Sequence, residues 1–307
     1  VTTGVKDSAG NTLSSQYTHS TGFTVVEYSL PDTGQTVSYT TTFGEDNDYT
    51  INPPAFDNSS ADTVTDNNTK LMWQRQDDGT TRTWSAAGTY CSNLTLASYS
   101  DWRLPKIEEL QRILDLGKAF PAIDTSYFTN VPKVPVEHYY LSNFWSSTAS
   151  VYITTAAHQV EFHYGSVGYN YKTNSYYVRC VRGEQTSTSY TDNGNETVTD
   201  IKTGLVWQKG DDGTTRNWET ALSYCEGLSL GGKTDWRLPN IKELSSIVDY
   251  TKSTFTIDDA FSTLLNSASL WYHSSTTVAN QTTSKFFINF SISSMSRGPT
   301  SNSLYVR

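Results

Sequence analysis

The chain has 307 residues, of which 17% are charged and 13% aromatic, and its formal net charge of −9 gives an isoelectric point near 5.0. Because no cluster of lysine or arginine offsets the negative charge, the chain lacks the electrostatic attraction that binds nucleic acids and anionic membrane surfaces. No apolar run approaches the roughly 18 residues that a membrane helix needs, so we expect no nucleic-acid partner and no membrane insertion of this chain.

Residues 1–55 alternate apolar residues with serine and threonine, and prolines interrupt the alternation. The clearest stretches are Phe23–Tyr28 and Val37–Phe43. Strict alternation between turn-forming residues is typical of half-buried strands. We therefore predict two or three strands in an N-terminal β-rich extension that covers residues 1–55.

Residues 56–115 return 134 positions later as residues 190–249, without insertion or deletion. The tract DWRLP, for example, stands at Asp101–Pro105 and again at Asp235–Pro239. This period is too long for one unit of a solenoid, and each copy is long enough to bury a core of its own. We predict two tandem domains, residues 56–183 and 190–307, joined by a linker at residues 184–189.

The first half of each copy predicts a hairpin, a short strand and two helices. Asn193 and Gly194 favour a tight hairpin turn, and Leu71–Gln74 predicts a buried strand. Thr83, or Asn217 in the second copy, is a candidate cap for a helix whose apolar face includes Cys91. The second helix is expected to open at Leu104 and Pro105, with its apolar stripe at Ile107, Leu110, Ile113 and Leu114.

The second half of each copy predicts strands. In the first copy they are expected at Phe144–Thr148, Gln159–Phe162 and Tyr177–Arg182. Their expected counterparts in the second copy are Leu270–Thr276, Phe287–Phe290 and Leu304–Arg307, so the offset between copies is expected to drift from 134 to 128 and then to 125. We therefore expect an α+β fold in each copy, with the length changes in the loops of this half.

An ordered set of motifs spans each copy: Thr-Val-Thr-Asp before Trp-Gln, then Asp-Trp-Arg-Leu-Pro, then Trp-Ser-Ser-Thr and a closing Val-Arg-Cys-Val-Arg. This set resembles the Lcl C-terminal-like domain family, a bacterial family named for the tail domain of a collagen-like surface adhesin. The resemblance covers about residues 56–183 and 190–307, and the match is weaker in the second copy. It implies a C-type lectin-like fold, with two helices beside a twisted antiparallel sheet and a binding surface formed by the loops before the last strands.

The resemblance also implies a disulfide between Cys91 and Cys180, because a C-type lectin-like domain ties its first long helix to its last strand at these places. The alternative is two buried free thiols in a cytosolic protein. The second copy keeps Cys225 but has Tyr305 where its partner is expected. We therefore expect Cys225 to be reduced and packed in the core.

The sequence gives little support for a metal site. The turn Asp77–Arg82 recurs at Asp211–Arg216 and offers two carboxylates, but it lacks the alternating oxygen ligands of a calcium loop. We expect no metal here and a turn held by side-chain to backbone hydrogen bonds instead. Asp101 and Arg103, like Asp235 and Arg237, are expected to form an internal ion pair around a core tryptophan.

Catalysis finds equally little support, and we expect neither an enzyme nor a cofactor. The five histidines include no pair at matching positions of the two copies, so the duplicated frame contains no shared histidine base. The formylglycine-generating enzymes share the C-type lectin-like scaffold and suggest an oxidase as an alternative. Those enzymes use a cysteine pair, whereas the pair expected here is structural.

Binding has better support in the later half of each copy, where tyrosine mixes with serine, asparagine and histidine in copy one and polar residues dominate in copy two. Such a mixture is typical of recognition surfaces, because tyrosine supplies contact area at low entropic cost. The alternative is ordinary polar strands of a secreted domain. The candidate ligand-binding residues are Tyr152, His163, Tyr169, Tyr171, Asn174, Tyr176, Tyr272, His273, Asn280, Gln281, Arg297 and Asn302.

The leading hypothesis is therefore a secreted or surface-attached bacterial module that binds a glycan or a protein ligand through these loops. The chain begins at Val1 without a signal-like stretch, so we expect a processed or trimmed form, anchored by a segment outside it if it is anchored. One alternative is a retroelement-diversified variable receptor of the same fold. The other is an enzyme on the formylglycine-generating scaffold.

Overall fold

The computed structural model describes residues 30–132, 142–183, 189–261 and 270–307. The expected strand at Phe23–Tyr28 lies outside these residues.

Residues 56–132 and 142–183 of the first copy contain two helices and seven strands. They are β1 (Phe56–Asp57), β2 (Thr63–Asp66), β3 (Met72–Gln74), α1 (Trp84–Ser92), α2 (Ile107–Arg112), β4 (Asn143–Ala149), β5 (Ala156–Glu161), β6 (Ser166–Tyr171) and β7 (Val181–Arg182).

The second copy repeats this order as far as the counterpart of β6. Its elements are β8 (Tyr190–Asp192), β9 (Thr197–Asp200), β10 (Val206–Gln208), α3 (Trp218–Glu226), α4 (Ile241–Ser246), β11 (Trp271–Val278), β12 (Gln281–Asn289) and β13 (Ser294–Pro299). All the strand pairings between these elements are antiparallel. The tandem α+β architecture is confirmed.

Matching hydrogen bonds show which residues of the two copies correspond. The backbone N–H of Ile107 donates to Thr148 Oγ1, and that of Ile241 donates to Thr276 Oγ1. The offset is therefore still 134 at the second helix but 128 in the later strands. The bridge from Phe144 to Tyr177 recurs between Tyr272 and Tyr305, so the offset stays at 128 and the expected drift to 125 is wrong.

The N-terminal caps of the helices differ between the two copies. Asn217 caps α3 by accepting a hydrogen bond from the Thr220 N–H, whereas Thr83 makes no such bond to α1. Helix α2 begins at Ile107 after the N-cap Lys106, so Pro105 precedes the helix and does not open it. Glu109 accepts from the Lys106 N–H at 2.8 Å, which satisfies one of the backbone donors at the helix start.

The cysteines behave as the family resemblance implied. Cys91 of α1 and Cys180 form a disulfide of 2.07 Å across a sequence separation of 89 residues. Cys225 of α3 is free and buried beside Trp218 and Leu222. Tyr305, however, is the counterpart of Tyr177 and not of Cys180. The expectation that Tyr305 stands in the place of the second cysteine is therefore wrong.

The two copies share one six-stranded sheet in the order β11-β12-β13-β6-β5-β4. The junction is the pairing of Met295 in β13 with Val167 in β6. Arg297 reinforces it, since its guanidinium donates to Ser166 Oγ at 3.1 Å and lies 3.8 Å from the ring centre of Tyr164. Backbone pairing and one apolar core cluster therefore cross the boundary between the two copies.

Residues 30–55 form no strand, and only the short 3-10 helix Asp46–Asp48 is regular there. The predicted strand at Val37–Phe43 is therefore wrong. This segment instead packs against both copies. The Leu116 N–H of copy one donates to the Thr33 carbonyl oxygen at 2.7 Å, and on copy two Gln35 Oε1 accepts a hydrogen bond from Thr277 Oγ1 at 2.7 Å and Tyr39 Oη accepts one from the Asn280 N–H at 3.3 Å. Side-chain bonds to the neighbouring domain thus replace the strand ladder that alternation suggested.

We expect Asp46 to make the docking of this segment sensitive to pH. Its buried carboxylate accepts hydrogen bonds from Thr276 Oγ1 at 2.6 Å and Thr33 Oγ1 at 2.7 Å. Burial raises its pKa from 3.8 to about 7, and the negative charges of Asp32 and Glu243 add to the rise. Between about pH 4 and 7, the Asp46 carboxyl is therefore protonated in the docked segment and ionised in the undocked segment. Docking should weaken as the pH rises through this range.

We expect protection of residues 30–52 from hydrogen exchange to fall on the order of 100-fold between pH 4.5 and 8, after correction for the intrinsic exchange rate. Asp46→Asn should remove most of this dependence, since asparagine does not titrate. A wild-type profile as flat as that of the variant contradicts the prediction.

Candidate ligand-binding surface

Three of the candidate residues form a tyrosine patch at one corner of copy one, defined here as Tyr152, Tyr169 and Tyr171. Tyr169 and Tyr171 are alternate residues of β6, so their side chains lie on the same face of the sheet. Tyr152 comes from the turn between β4 and β5, and its ring centre lies 6.5 Å from that of Tyr169. A turn and a paired strand therefore hold the three rings on one surface.

Two of the three tyrosines in the patch are exposed to solvent. Tyr152 and Tyr171 are 57% and 59% exposed, and the adjacent Val151 is 41% exposed. Exposed aromatic and aliphatic side chains are ordinary when scattered singly, whereas a contiguous group marks a surface that contacts something. Each tyrosine also presents a hydroxyl, so the patch offers both apolar area and hydrogen bonds.

Asn174 and Tyr176 lie elsewhere than the patch. Asn174 Nδ2 donates to Asn170 Oδ1 at 2.8 Å, and Asn170 points to the face of β6 opposite Tyr169 and Tyr171. The ring of Tyr176 packs on that of buried Trp145, with centroids 4.7 Å apart. These two candidates therefore belong to a second, half-buried face of copy one.

Three candidates are interior residues, and their assignment to a ligand surface is wrong. His163 is 1% exposed and packs edge-on against Phe120, with ring centres 4.3 Å apart. The Tyr272 hydroxyl donates to Asp211 Oδ2 at 2.5 Å, and His273 Nε2 lies 2.6 Å from the carbonyl oxygen of Arg216. Burial lowers the pKa of His273 to about 3, with a further contribution from the charge of Lys285, so His273 is neutral in the core.

The candidates of copy two do not form a matching patch. By the offset of 128, Tyr152, Tyr169 and Tyr171 correspond to Asn280, Arg297 and Pro299. Asn280 is exposed but carries the contact with Tyr39 of the opening segment, and Arg297 is engaged at the junction of the copies. Arg297 is therefore a contact between the two copies, and its predicted role in ligand binding is wrong.

Gln281 at the start of β12 is half-buried, and Asn302 is exposed. A ligand contact at these two residues stays a prediction.

The repeated acidic turn is confirmed as a turn held by side-chain to backbone hydrogen bonds. Asp77 accepts from the Gly79 N–H at 2.8 Å and Asp78 from the Thr80 N–H at 3.0 Å, and the second copy repeats both bonds. Across residues 30–132, 142–183, 189–261 and 270–307, no group of three or more His, Cys, Asp or Glu side chains is placed to hold a metal ion.

The ion pairs predicted around the core tryptophans have other partners. Arg103 binds Glu109 through two bonds of 2.7 and 2.6 Å, while Asp101 pairs with Arg182 at 2.7 Å. Arg237 repeats the first arrangement with Glu243. Glu109 in the first turn of α2 faces the Arg103 guanidinium, whereas Asp101 faces Arg182 of β7, so the predicted pairing of Asp101 with Arg103 is wrong.

The structure also contains a cleft between the copies that the sequence did not indicate. It has a volume of ≈ 290 Å³, and its charged lining includes Glu108, Arg112 and Lys202. Burial raises the pKa of Glu108 and lowers that of Lys202 to about 8. Its walls come from both copies, and for that reason no pattern within one copy predicts it.

In a comparison with protein families, the model of the Lcl C-terminal domain family matches residues 62–182 and again residues 196–307. Among curated proteins, none matches the chain. Within the residues that the structure describes, no helix has both the length and the apolar character to cross a membrane.

Proposed function

Because the chain belongs to the Lcl C-terminal domain family, with two copies of the domain, we propose that it is a non-enzymatic binding or adhesion module. The observation that carries this proposal is the exposed tyrosine patch, held on a paired strand of copy one. A glycan or a protein surface fits the chemistry of the patch, because aromatic faces and hydroxyls lie side by side. The finer assignment of each copy to the C-type lectin-like fold is part of the same proposal.

The disulfide supports a location outside the cytosol. Structural disulfides form and persist in oxidising compartments and are rare in mesophilic cytosolic proteins. The bond between Cys91 and Cys180 closes a large part of copy one, so it is structural in position. We propose a secreted or cell-surface protein, in keeping with a role in binding.

The test is a glycan and surface-protein array probed with the full chain, since the shared sheet makes separate halves unsuitable. The double variant Tyr152→Asn and Tyr171→Ser should lose binding to every ligand found by at least about 30-fold, because both rings are exposed centres of the patch. Tyr152→Asn introduces the residue that copy two carries at the corresponding position.

Phe43→Ser is the matched control, since Phe43 is a 59% exposed aromatic residue on the opening segment, away from the patch. It should leave binding within about two-fold. Equal losses in both variants, or a retained affinity in the double variant, contradict the role of the patch.

Two alternatives have specific support. The copies keep the same frame while the residues at the patch positions differ, which favours a diversified receptor; sequences from sibling strains that vary only at these positions would support it. The inter-copy cleft, with the raised pKa of Glu108, favours an enzyme. A turnover activity that Glu108→Gln abolishes and the patch variant retains would support the enzyme.

A further inference from the structure

The two copies are related by a local two-fold axis. Met295 of β13 pairs antiparallel with Val167 of β6, and the two residues are counterparts at the offset of 128. Two equivalent residues that face each other on antiparallel strands place the axis between them. A contact that runs from copy two to copy one therefore has a symmetry-related position on the other side of the axis.

The opening segment occupies one of two such positions. Lys242 of α4 reaches across the boundary, where its Nζ donates to the carbonyl oxygen of Arg112 at 3.1 Å and to that of Asp32 in the opening segment at 2.8 Å. The Leu116 N–H donates to the Thr33 carbonyl oxygen at 2.7 Å. An ammonium and a backbone N–H thus hold peptide carbonyls of the segment between the copies.

The symmetry-related position is the cleft between the copies, with its volume of ≈ 290 Å³. At the offset of 134, Glu108 stands in the place of Lys242, and Ser246 stands in the place of Arg112. Glu108 and Ser246 both line the cleft. The cation of the first position is therefore replaced by an anion in the second.

Glu108 carries an unused acceptor at the cleft. Its Oε2 is buried, and no hydrogen-bond donor among the residues that the structure describes reaches it. Burial raises the pKa of Glu108, although the charges of Arg112 and Lys106 oppose the rise. Because a buried carboxylate without a donor is costly, a cation that reached Oε2 would offset this cost.

Tyr250 adds an unused backbone donor. It lines the cleft and is the counterpart of Leu116, but in the described part of the chain its N–H has no acceptor. The Ser246 carbonyl accepts from the Tyr190 hydroxyl at 3.2 Å, which leaves one lone pair for a further donor. The cleft therefore offers a donor for a carbonyl and two acceptors for an ammonium.

The cleft does not admit a copy of the opening segment along its whole path. In the first position, Gly117 lies so close to Gly34 that a Cβ on Gly117 would collide with the Gly34 carbonyl oxygen. The counterpart of Gly117 is Thr251, whose side chain lines the cleft. An occupant therefore ends or turns away before this point, and it is shorter than the opening segment.

We propose that the cleft binds a short peptide segment, whose lysine ammonium donates to Glu108 Oε2 and to the Ser246 carbonyl while a carbonyl of its backbone accepts from the Tyr250 N–H. The first position contains the same groups, an ammonium on a helix-end carbonyl and a backbone N–H on a peptide carbonyl. The exchange of Lys242 for Glu108 moves the cation from the protein to the ligand. This site lies apart from the tyrosine patch, so the proposal does not depend on the patch.

The test titrates the full chain with acetyl-Ala-Lys-Ala-amide and with its norleucine analogue, which keeps the aliphatic side chain and lacks the ammonium. The lysine peptide should bind at least about ten-fold more tightly, because its ammonium makes charge-assisted hydrogen bonds to Glu108. Equal affinities of the two peptides, or no binding of the lysine peptide at about 10 mM, overturn the proposal.

Butylamine tests the peptide carbonyl, because it carries the ammonium alone. It should bind about three- to ten-fold more weakly than the lysine peptide, the value of one hydrogen bond. The amide proton of Tyr250 should shift downfield in the NMR spectrum with the lysine peptide and not with butylamine. An unshifted Tyr250 amide, or equal affinities of butylamine and the lysine peptide, contradicts the role of this N–H.

Glu108→Gln keeps the size of the side chain and removes its charge, so it should abolish the preference for lysine over norleucine. Glu196→Gln is the matched control, since Glu196 is exposed in the turn between β8 and β9, and it should keep the preference within about two-fold. The double variant Tyr152→Asn and Tyr171→Ser should still bind the lysine peptide, which distinguishes a failure of this site from a failure of the patch. A preference for lysine that survives in Glu108→Gln overturns the proposal.

Discussion

Asp77→Asn is expected to lower the free energy of unfolding by about 3–5 kcal/mol, because it leaves the guanidinium of Arg179 charged and buried without a counterion. The two side chains are 1% and 0% exposed and lie 3.4 Å apart. Arg179 also donates to the carbonyls of Gln74 and Thr129 at 2.8 and 3.1 Å, so it ties β3 to the loop before copy one's later strands. Chemical denaturation with the disulfide intact measures the loss.

Asp78→Asn is the matched control, since it changes the neighbouring residue of the same turn in the same way. Asp78 pairs with Arg82, but their side chains are 34% and 18% exposed, so this pair should contribute only about 0.2–1 kcal/mol. An asparagine at either position keeps the oxygen that accepts the turn's backbone N–H. Similar losses in the two variants would show that the turn, and not the buried charge, sets the stability.

The buried pair also has a desolvation cost. Burial raises the pKa of Asp77 by more than the Arg179 guanidinium lowers it, and burial lowers the pKa of Arg179 to about 10. An apolar pair of similar volume can therefore match or exceed the stability of this ion pair, whereas removal of one partner cannot.

The double variant Cys91→Ala and Cys180→Ala is expected to lower the free energy of unfolding by about 4 kcal/mol. The bond spans 89 residues, and opening so long a loop restores much conformational freedom to the unfolded chain. Denaturant titration of the oxidised protein and of the double variant gives the difference. A parallel alkylation of the unfolded wild type should find one thiol, that of Cys225.

Cys225→Ala serves as the control for lost packing, because Cys225 is buried in the matching helix of copy two but forms no disulfide. We expect it to cost about 1 kcal/mol, the value of a small buried side chain. If the control costs as much as the double variant, packing and not the covalent link accounts for the effect. None or three free thiols in the unfolded protein contradicts the arrangement itself.

The candidate site shows where prediction from sequence reaches its limit. Tyr152, Tyr169 and Tyr171 were predicted from composition, and they lie at one corner where Tyr152 and Tyr171 are exposed and Tyr169 is half-buried. Tyr272 and His273 came from the same kind of polar, aromatic stretch but lie in the core. Composition describes what a side chain is able to contact, whereas its exposure depends on which distant segment covers it.

The sequence by itself determined the duplication and the order of helices and strands, because these follow from repeated motifs and from the periodicity of apolar residues. The resemblance to the family implied the pairing of Cys91 with Cys180 and the free Cys225, and both are present. Only the tertiary structure decided that β6 and β13 join the copies into one sheet and that residues 30–55 pack against both copies. It likewise decided that Arg103 pairs with Glu109. The physical reason is that local patterns fix which face of an element is apolar, but the partner that buries this face is set by packing between segments far apart in the chain.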